Sequence, residues 1–126
     1  MSLDAASPHR MHQPMNGSQS LTQAIAKIRH SFLDCLDSRI VLIETTWAAF
    51  RSGGVDARQS FDVALNEVHR ISGIAASLGF LDISQHAAAL EQRLNDLRSG
   101  IAVDHEVRTI DREVDAFLNT LESLLG

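Results

Sequence analysis

The sequence predicts an all-α protein: an antiparallel up-down four-helix bundle, with room for a short extra N-terminal helix. Three observations predict this class. Both prolines lie before residue 15, so the rest of the chain is free of the residue that most strongly breaks helices. Apolar residues then recur every three or four positions, and no segment alternates apolar and polar residues as a strand would. A chain of 126 residues has enough material for one domain with a single core.

Residues 1–18 are expected to form a disordered tail, since they contain both prolines and no apolar period. The bundle is expected to occupy residues 19–126. Its first helix should begin at Ser20, where Ser20 and Gln23 form a capping-box pattern. The apolar stripe drifts because steps of four repeat between Ile28 and Ile40, which predicts a kink or break near Ser31. The stripe consists of Leu21, Ile25, Ile28, Phe32, Leu36, Ile40, Ile43, Trp47 and Phe50.

Three more helices follow, and each has a recognisable start. Acidic caps at Asp56 and Asp82 are expected to open the second and third helices, Gly100 to close the third, and Asp104 to open the fourth. Each apolar stripe is one-sided, so no helix is stable without a neighbour, and the short connections make consecutive helices antiparallel. The stripes are Phe61, Ala64, Leu65, Val68, Ile71, Ala75 and Leu78; Ile83, Ala87, Leu90, Leu94 and Leu97; and Val107, Ile110, Val114, Phe117, Leu121 and Leu124.

Composition and charge exclude several classes of function. The formal net charge is −5 and no stripe of Lys or Arg is present, so we expect no nucleic-acid partner. No apolar run is long enough to cross a bilayer and no signal-peptide pattern opens the chain, so we expect a cytoplasmic protein with no membrane partner. The single Cys35 cannot form an internal disulfide and, inside an apolar helical pattern, is expected to be a buried structural thiol.

The segment EVHRISGIAASLGF at residues 67–80 contains the candidate functional residues. On a helical wheel His69 lies about 120° from the apolar stripe, so its imidazole should be solvent-exposed. Gly73 lies one turn further on, where a glycine costs about 0.5–1 kcal/mol relative to alanine. Either the missing Cβ gives another molecule access to His69, or it permits close helix packing. Gly79, followed by Phe80, is instead typical of a left-handed helix stop.

These residues carry a family resemblance. The run His69-Arg70-Ile71-Ser72-Gly73-Ile74-Ala75-Ala76-Ser77-Leu78-Gly79-Phe80, followed by Leu90-Glu91, resembles the signature of the histidine-containing phosphotransfer (HPt) domain family. Upstream, Ser31-Phe32-Leu33-Asp34 and Arg39 are similar to the long helix that precedes that signature. The resemblance covers roughly residues 20–124.

The resemblance implies a phosphorelay intermediate, and we expect a stand-alone protein because 126 residues leave no room for a kinase or receiver domain. His69 would accept a phosphoryl group from a receiver-domain aspartate and pass it to another receiver, and Glu91 would orient the imidazole. The implied protein is a phosphohistidine carrier without ATP-dependent kinase activity. It needs no cofactor or metal of its own, because the Mg²⁺ of this chemistry belongs to the receiver. The implied partners are response-regulator receiver domains and a hybrid sensor kinase, and the chain is expected to be a monomer.

One position departs from the family pattern. Many members have lysine three residues after the histidine, and this chain has Ser72, which can donate a hydrogen bond but supplies no cation. Arg70 or Arg93 could compensate, although Arg70 points about 100° away from His69 on the wheel. The predicted docking surface consists of Arg70, Ser72, Gly73, Ala76 and Arg93.

Two other functions stay open on the sequence. The same bundle could dock on receivers or other signalling partners without being phosphorylated, or it could be a structural bundle that oligomerises through Val41, Leu42 and Trp47. Among the other histidines, His86 is expected to be a partly buried packing residue, while His30 lies near the possible helix break. No zinc-protease, Ser/His/Asp or cysteine-cluster pattern is present.

Overall fold

The computed structural model describes residues 13–100 and 104–126, and all regular structure in this part of the chain is helical. Helix α1 spans Gln13–Ser52, α2 Ala57–Leu78, α3 Leu81–Arg98 and α4 Asp104–Glu122, followed by a single 3₁₀ turn at Ser123–Leu125. The predicted all-α class and the four main helices are therefore confirmed.

The start of α1 differs from the prediction. The helix begins at Gln13 rather than at Ser20, so residues 13–18 of the expected tail are helical, while residues 1–12 lie outside the described residues. Pro14 falls in the first turn, where its missing N–H interrupts no helical hydrogen bond. The predicted break near Ser31 is also wrong, because α1 continues through that residue, and among the described residues no separate helix precedes α1. No glycine or proline occurs between residues 18 and 52 to interrupt the helix.

By its contacts the chain divides into two units, at Ser31 and Phe32. In the first unit, every described side chain from residue 19 to residue 31 is exposed. Leu21, Ile25 and Ile28, which were expected in the core, are 63%, 41% and 54% exposed. The core of the second unit begins at Phe32 and contains residues of all four helices.

Contacts within the second unit show that α1 and α2 are antiparallel. Trp47, near the end of α1, packs against Phe61, near the start of α2, with ring centroids 6.3 Å apart. Phe32 lies instead beside Phe80, which follows α2, at 5.8 Å. The α1 chain direction is thus opposite to that of α2, as the short connection between them predicts.

The remaining helices continue the up-down order. Asp62, early in α2, lies near Arg98 at the end of α3. His86, early in α3, packs edge-on against Phe117, late in α4. The early α4 residue Asp111 accepts a hydrogen bond of 2.9 Å from Nε1 of Trp47 on α1. Each helix is therefore antiparallel to the ones it packs against, and the predicted bundle topology is confirmed.

The predicted apolar stripes of α2, α3 and α4 form the core. Every stripe residue of α2 is buried, as are Ile83, Ala87, Leu90, Leu94, Ile110, Val114, Phe117 and Leu121. Also on α1, the expected burial of Cys35 is wrong, while the burial of Trp47, which its place in the stripe predicts, counts against the oligomerisation alternative. Cys35 is exposed, because it lies beside the stripe rather than on it. Trp47 is only 7% exposed and belongs to the core, so it offers no surface for oligomerisation, while Val41 and Leu42 remain exposed.

The junction between α2 and α3 places the two site-bearing helices side by side. Gly79 has φ +83°, the left-handed conformation that a helix stop requires, and the Phe80 N–H donates to the Ala75 carbonyl. Because the chain turns within these two residues, α3 begins at Leu81, before the predicted start at Asp82. Asp56 precedes α2 as predicted, but its side chain makes no capping hydrogen bond.

Candidate functional site

His69 is presented to solvent by the outer face of α2. Its side chain is 70% exposed, whereas Val68 and Ile71 on the same helix are 1% and 0% exposed. The helical repeat explains this difference, because the core stripe and His69 lie on different sides of the helix. The predicted exposure of the imidazole is thus observed.

Glu91 of α3 lies against the imidazole. Its Oε2 is 2.7 Å from Nδ1 of His69, which is hydrogen-bonding distance. The Glu91 side chain is 24% exposed and follows the buried Leu90 in the sequence, so its helix holds it at the edge of the core. A neutral imidazole that donates from Nδ1 to this carboxylate carries its free lone pair on Nε2.

Small residues are exposed on both helices that carry the site. Gly73 and Ala76 are exposed on α2, and a Cβ built on Gly73 meets nothing within 4 Å. Close helix packing therefore does not account for Gly73, and access to the face is the explanation that fits. Ala88, one turn before Glu91 on α3, is also exposed.

Ser72 is turned toward α3. The Ser84 hydroxyl donates to the Ser72 carbonyl at 3.1 Å, and the Ser72 hydroxyl lies 3.5 Å from the Ser84 carbonyl. This reciprocal contact joins α2 to α3 one turn beyond His69. The sequence shows that Ser72 is uncharged. Only the packing of α2 on α3 shows that its hydroxyl faces the Ser84 carbonyl.

The two predicted arginines are directed elsewhere. Nη1 of Arg70 lies 3.8 Å from Oε1 of Glu67 on its own helix, and the Arg70 side chain is 68% exposed. Nε of Arg93 lies 3.5 Å from Oε1 of Glu113, which places Arg93 toward α4. Residues two apart on a helix point in nearly opposite directions, so Arg93 and Glu91 serve different neighbours. The structure therefore brings Glu91 to His69, leaves Gly73 and Ala76 exposed further along the same helix, and directs Arg93 toward α4.

A buried ion pair supports this part of α2. Glu67 is 5% exposed and accepts a hydrogen bond from Nη1 of Arg39 on α1. Because a buried carboxylate requires a partner, this contact fixes α2 against α1 two residues before His69. The sequence signal was Glu67 lying between the core residues Leu65 and Val68, and sequence reasoning missed it.

The other predicted features have clear positions. His86 is half-buried and lies in edge-on contact with Phe117, ring centroids 5.3 Å apart, as expected of a packing residue. Within residues 13–100 and 104–126, no group of three or more His, Cys, Asp or Glu side chains could hold a metal ion. No helix in the same part of the chain is long and apolar enough to span a membrane.

The site is thus an exposed histidine of a four-helix bundle, hydrogen-bonded through Nδ1 to a carboxylate of the next helix. A sequence model of the Hpt domain matches residues 19–124, and the chain therefore belongs to the Hpt domain family. Such domains are phosphotransfer modules of two-component systems and interact with receiver domains. No curated protein and no solved structure is significantly similar to the chain.

Proposed function

We propose that this chain is a phosphorelay protein that carries a phosphoryl group on Nε2 of His69. It accepts the group from the phosphoaspartate of one receiver domain and passes it to another. The observation that carries the proposal is the 2.7 Å contact between Nδ1 of His69 and Oε2 of Glu91, made by an imidazole that is 70% exposed.

The contact favours Nε2 as the ring nitrogen that reacts. With the carboxylate against Nδ1, a phosphoryl group at that nitrogen would clash with Glu91 and face like charge. Nε2 lies on the opposite side of the ring and has no hydrogen-bond partner among the described residues. Nε2 therefore combines access with an available lone pair.

The transfer needs no reacting group from elsewhere in the chain, because each bond that forms is matched by one that breaks. The Nε2 lone pair forms the N–P bond as the P–O bond to the receiver aspartate breaks, and the aspartate carboxylate leaves with the electron pair. The ring becomes positively charged while Nδ1–H still donates to Glu91, so the carboxylate stabilises the charge that develops. Reversal of the same steps delivers the group to a second receiver.

The direct test incubates the native chain with a panel of phosphorylated receiver domains. We expect an acid-labile gain of one phosphoryl group in intact mass, located at His69 by peptide mapping. Receivers that bind the chain without any transfer would contradict the proposal and favour the alternative function, a docking module that is not phosphorylated.

Glu91 is proposed as a positioning residue, and its replacement should change the protonation of the ring. In Glu91→Ala the Nδ1–H tautomer loses its acceptor, so ¹⁵N NMR of His69 should show a larger share of the Nε2–H form. Phosphotransfer should slow on the order of tenfold. Glu91→Gln, whose amide oxygen still accepts a hydrogen bond, should recover most of the native tautomer ratio. An unchanged ratio in Glu91→Ala would show that the contact does not set the tautomer.

The lack of a cation at position 72 should shorten the lifetime of the phosphohistidine. Ser72→Lys places an ammonium one turn from His69, and we expect the isolated phosphoprotein to hydrolyse about threefold more slowly, the effect of one exposed ion pair. Ser72→Ala is the control, since it removes the hydroxyl beside Ser84 without adding charge. Equal hydrolysis rates for the lysine and alanine variants would show that charge at this position does not govern lifetime.

A further inference from the structure

A small depression lies at the end of the bundle where α1 and α3 finish and α2 begins. Its volume is about 160 Å³, and its lining residues are Phe50, Arg58, Phe61, Leu97 and Arg98, which we call the arginine pocket. The rings of Phe50 and Phe61 are in tilted contact with centroids 4.9 Å apart and form an apolar floor. This volume suits one apolar side chain.

The rim of the arginine pocket is positively charged. Arg58 and Arg98 are 71% and 46% exposed, and both guanidinium groups approach Oδ1 of Asp62, at 3.8 and 3.7 Å. These distances are longer than a hydrogen bond, and among the described residues the buried Oδ1 of Asp62 has no hydrogen-bond partner. Two cations thus share one carboxylate, in a chain whose net charge is −5. A partner that carries carboxylates complements this rim.

The pocket lies on the same face as the histidine. Asp62 precedes His69 by seven residues and Arg98 follows Glu91 by seven, so each pair lies on one side of its helix, about 10 Å apart. The separation is similar on both helices because α2 and α3 are antiparallel, with Asp62 beside Arg98 and His69 beside Glu91. His69 and the arginine pocket therefore belong to one continuous α2–α3 face.

We infer that the arginine pocket is a second anchor for the receiver domain that docks on His69. The occupant is a receiver segment that inserts an apolar side chain over Phe50 and Phe61 and presents carboxylates to Arg58 and Arg98. A transient interface buries about 600 Å² on each partner, a patch of about 14 Å radius, so a receiver centred on His69 reaches the pocket. This inference rests on the proposed function, since it assigns the partner of that same site.

Such a contact selects the partner more than it tightens the complex. Pairs at the rim of an interface contribute little affinity each, but they accelerate encounter with an acidic surface and disfavour a basic one. Arg58 and Arg98 would therefore discriminate among receivers that share the same phosphorylation chemistry.

The experiment measures receiver binding by calorimetry in the His69→Gln chain, in which no phosphoryl group moves. Arg58→Gln/Arg98→Gln is compared with Arg108→Gln/Arg112→Gln, which removes the same charge from exposed positions on α4. We expect the first double variant to bind about fivefold more weakly, with a smaller dependence on salt, and the second to bind as the parent does. Thermal melting of both variants verifies that the bundle is folded.

The outcomes separate the two proposals. If both double variants bound with equal affinity and His69 was still phosphorylated in the native chain, the anchor role of the arginine pocket would be overturned. The proposed phosphotransfer function would stand. A fivefold loss confined to Arg58→Gln/Arg98→Gln would uphold the pocket, even if no receiver phosphorylated His69 and the proposed function were overturned. A panel in which no receiver binds at all would overturn both.

Discussion

His69→Gln is expected to abolish phosphoryl transfer while leaving the fold intact. Glutamine has no ring nitrogen that can attack phosphorus, so no acid-labile adduct should form with any charged receiver. The side chain is 70% exposed, and substitutions at such positions usually change the free energy of unfolding by less than about 0.5 kcal/mol. Intact mass after incubation and a urea denaturation curve measure the two properties on the same sample.

A second histidine provides the matched control. His30→Gln also exchanges an exposed imidazole for an amide on a helix, and it should accept the phosphoryl group as the native chain does. If the adduct formed in His69→Gln and was lost in His30→Gln, the phosphoryl acceptor would be His30 and not His69. Retention of receiver binding by His69→Gln would show that docking and chemistry are separable.

Gly73→Arg should block transfer by obstructing access to His69. The residue lies one turn from the imidazole on the exposed side of α2, and nothing within 4 Å opposes a Cβ there. Arginine favours a helix more than glycine does, by roughly 0.5–1 kcal/mol, so stability should be equal to or above native. We expect transfer to slow by about a hundredfold, since a misplacement of about 1 Å at a reacting centre can cost that much.

Two further variants test whether the effect of Gly73→Arg depends on the size of the new side chain and on its position. Ala116→Arg adds the same side chain to an exposed site on α4 and should leave the transfer rate unchanged. Gly73→Ala should stabilise the helix by about 0.5–1 kcal/mol and slow transfer far less than arginine does. Native transfer rates in Gly73→Arg would mean that the receiver does not approach over this residue.

The sequence alone determined the helical class, the core faces of α2, α3 and α4, and the exposure of His69. These features follow from the 3.6-residue repeat and from Gly79 and Gly100 at helix ends, which are local properties of the chain. The Glu91 position came from resemblance to a family, because the spacing between Glu91 and His69 does not by itself bring two helices together. The predicted start and the predicted break of α1 were wrong. The helix begins at Gln13, because a proline such as Pro14 is tolerated in a first turn, and a drifting apolar stripe does not break it at Ser31.

Only the tertiary structure decided which polar groups meet. The antiparallel packing of α2 on α3 set the 2.7 Å contact of His69 with Glu91 and turned Ser72 toward Ser84. It also placed Arg98 beside Asp62, on the face of His69, and directed Arg93 toward α4. These outcomes depend on the register and rotation of one helix against another. Many packed side chains fix both together, so no single stretch of sequence specifies them.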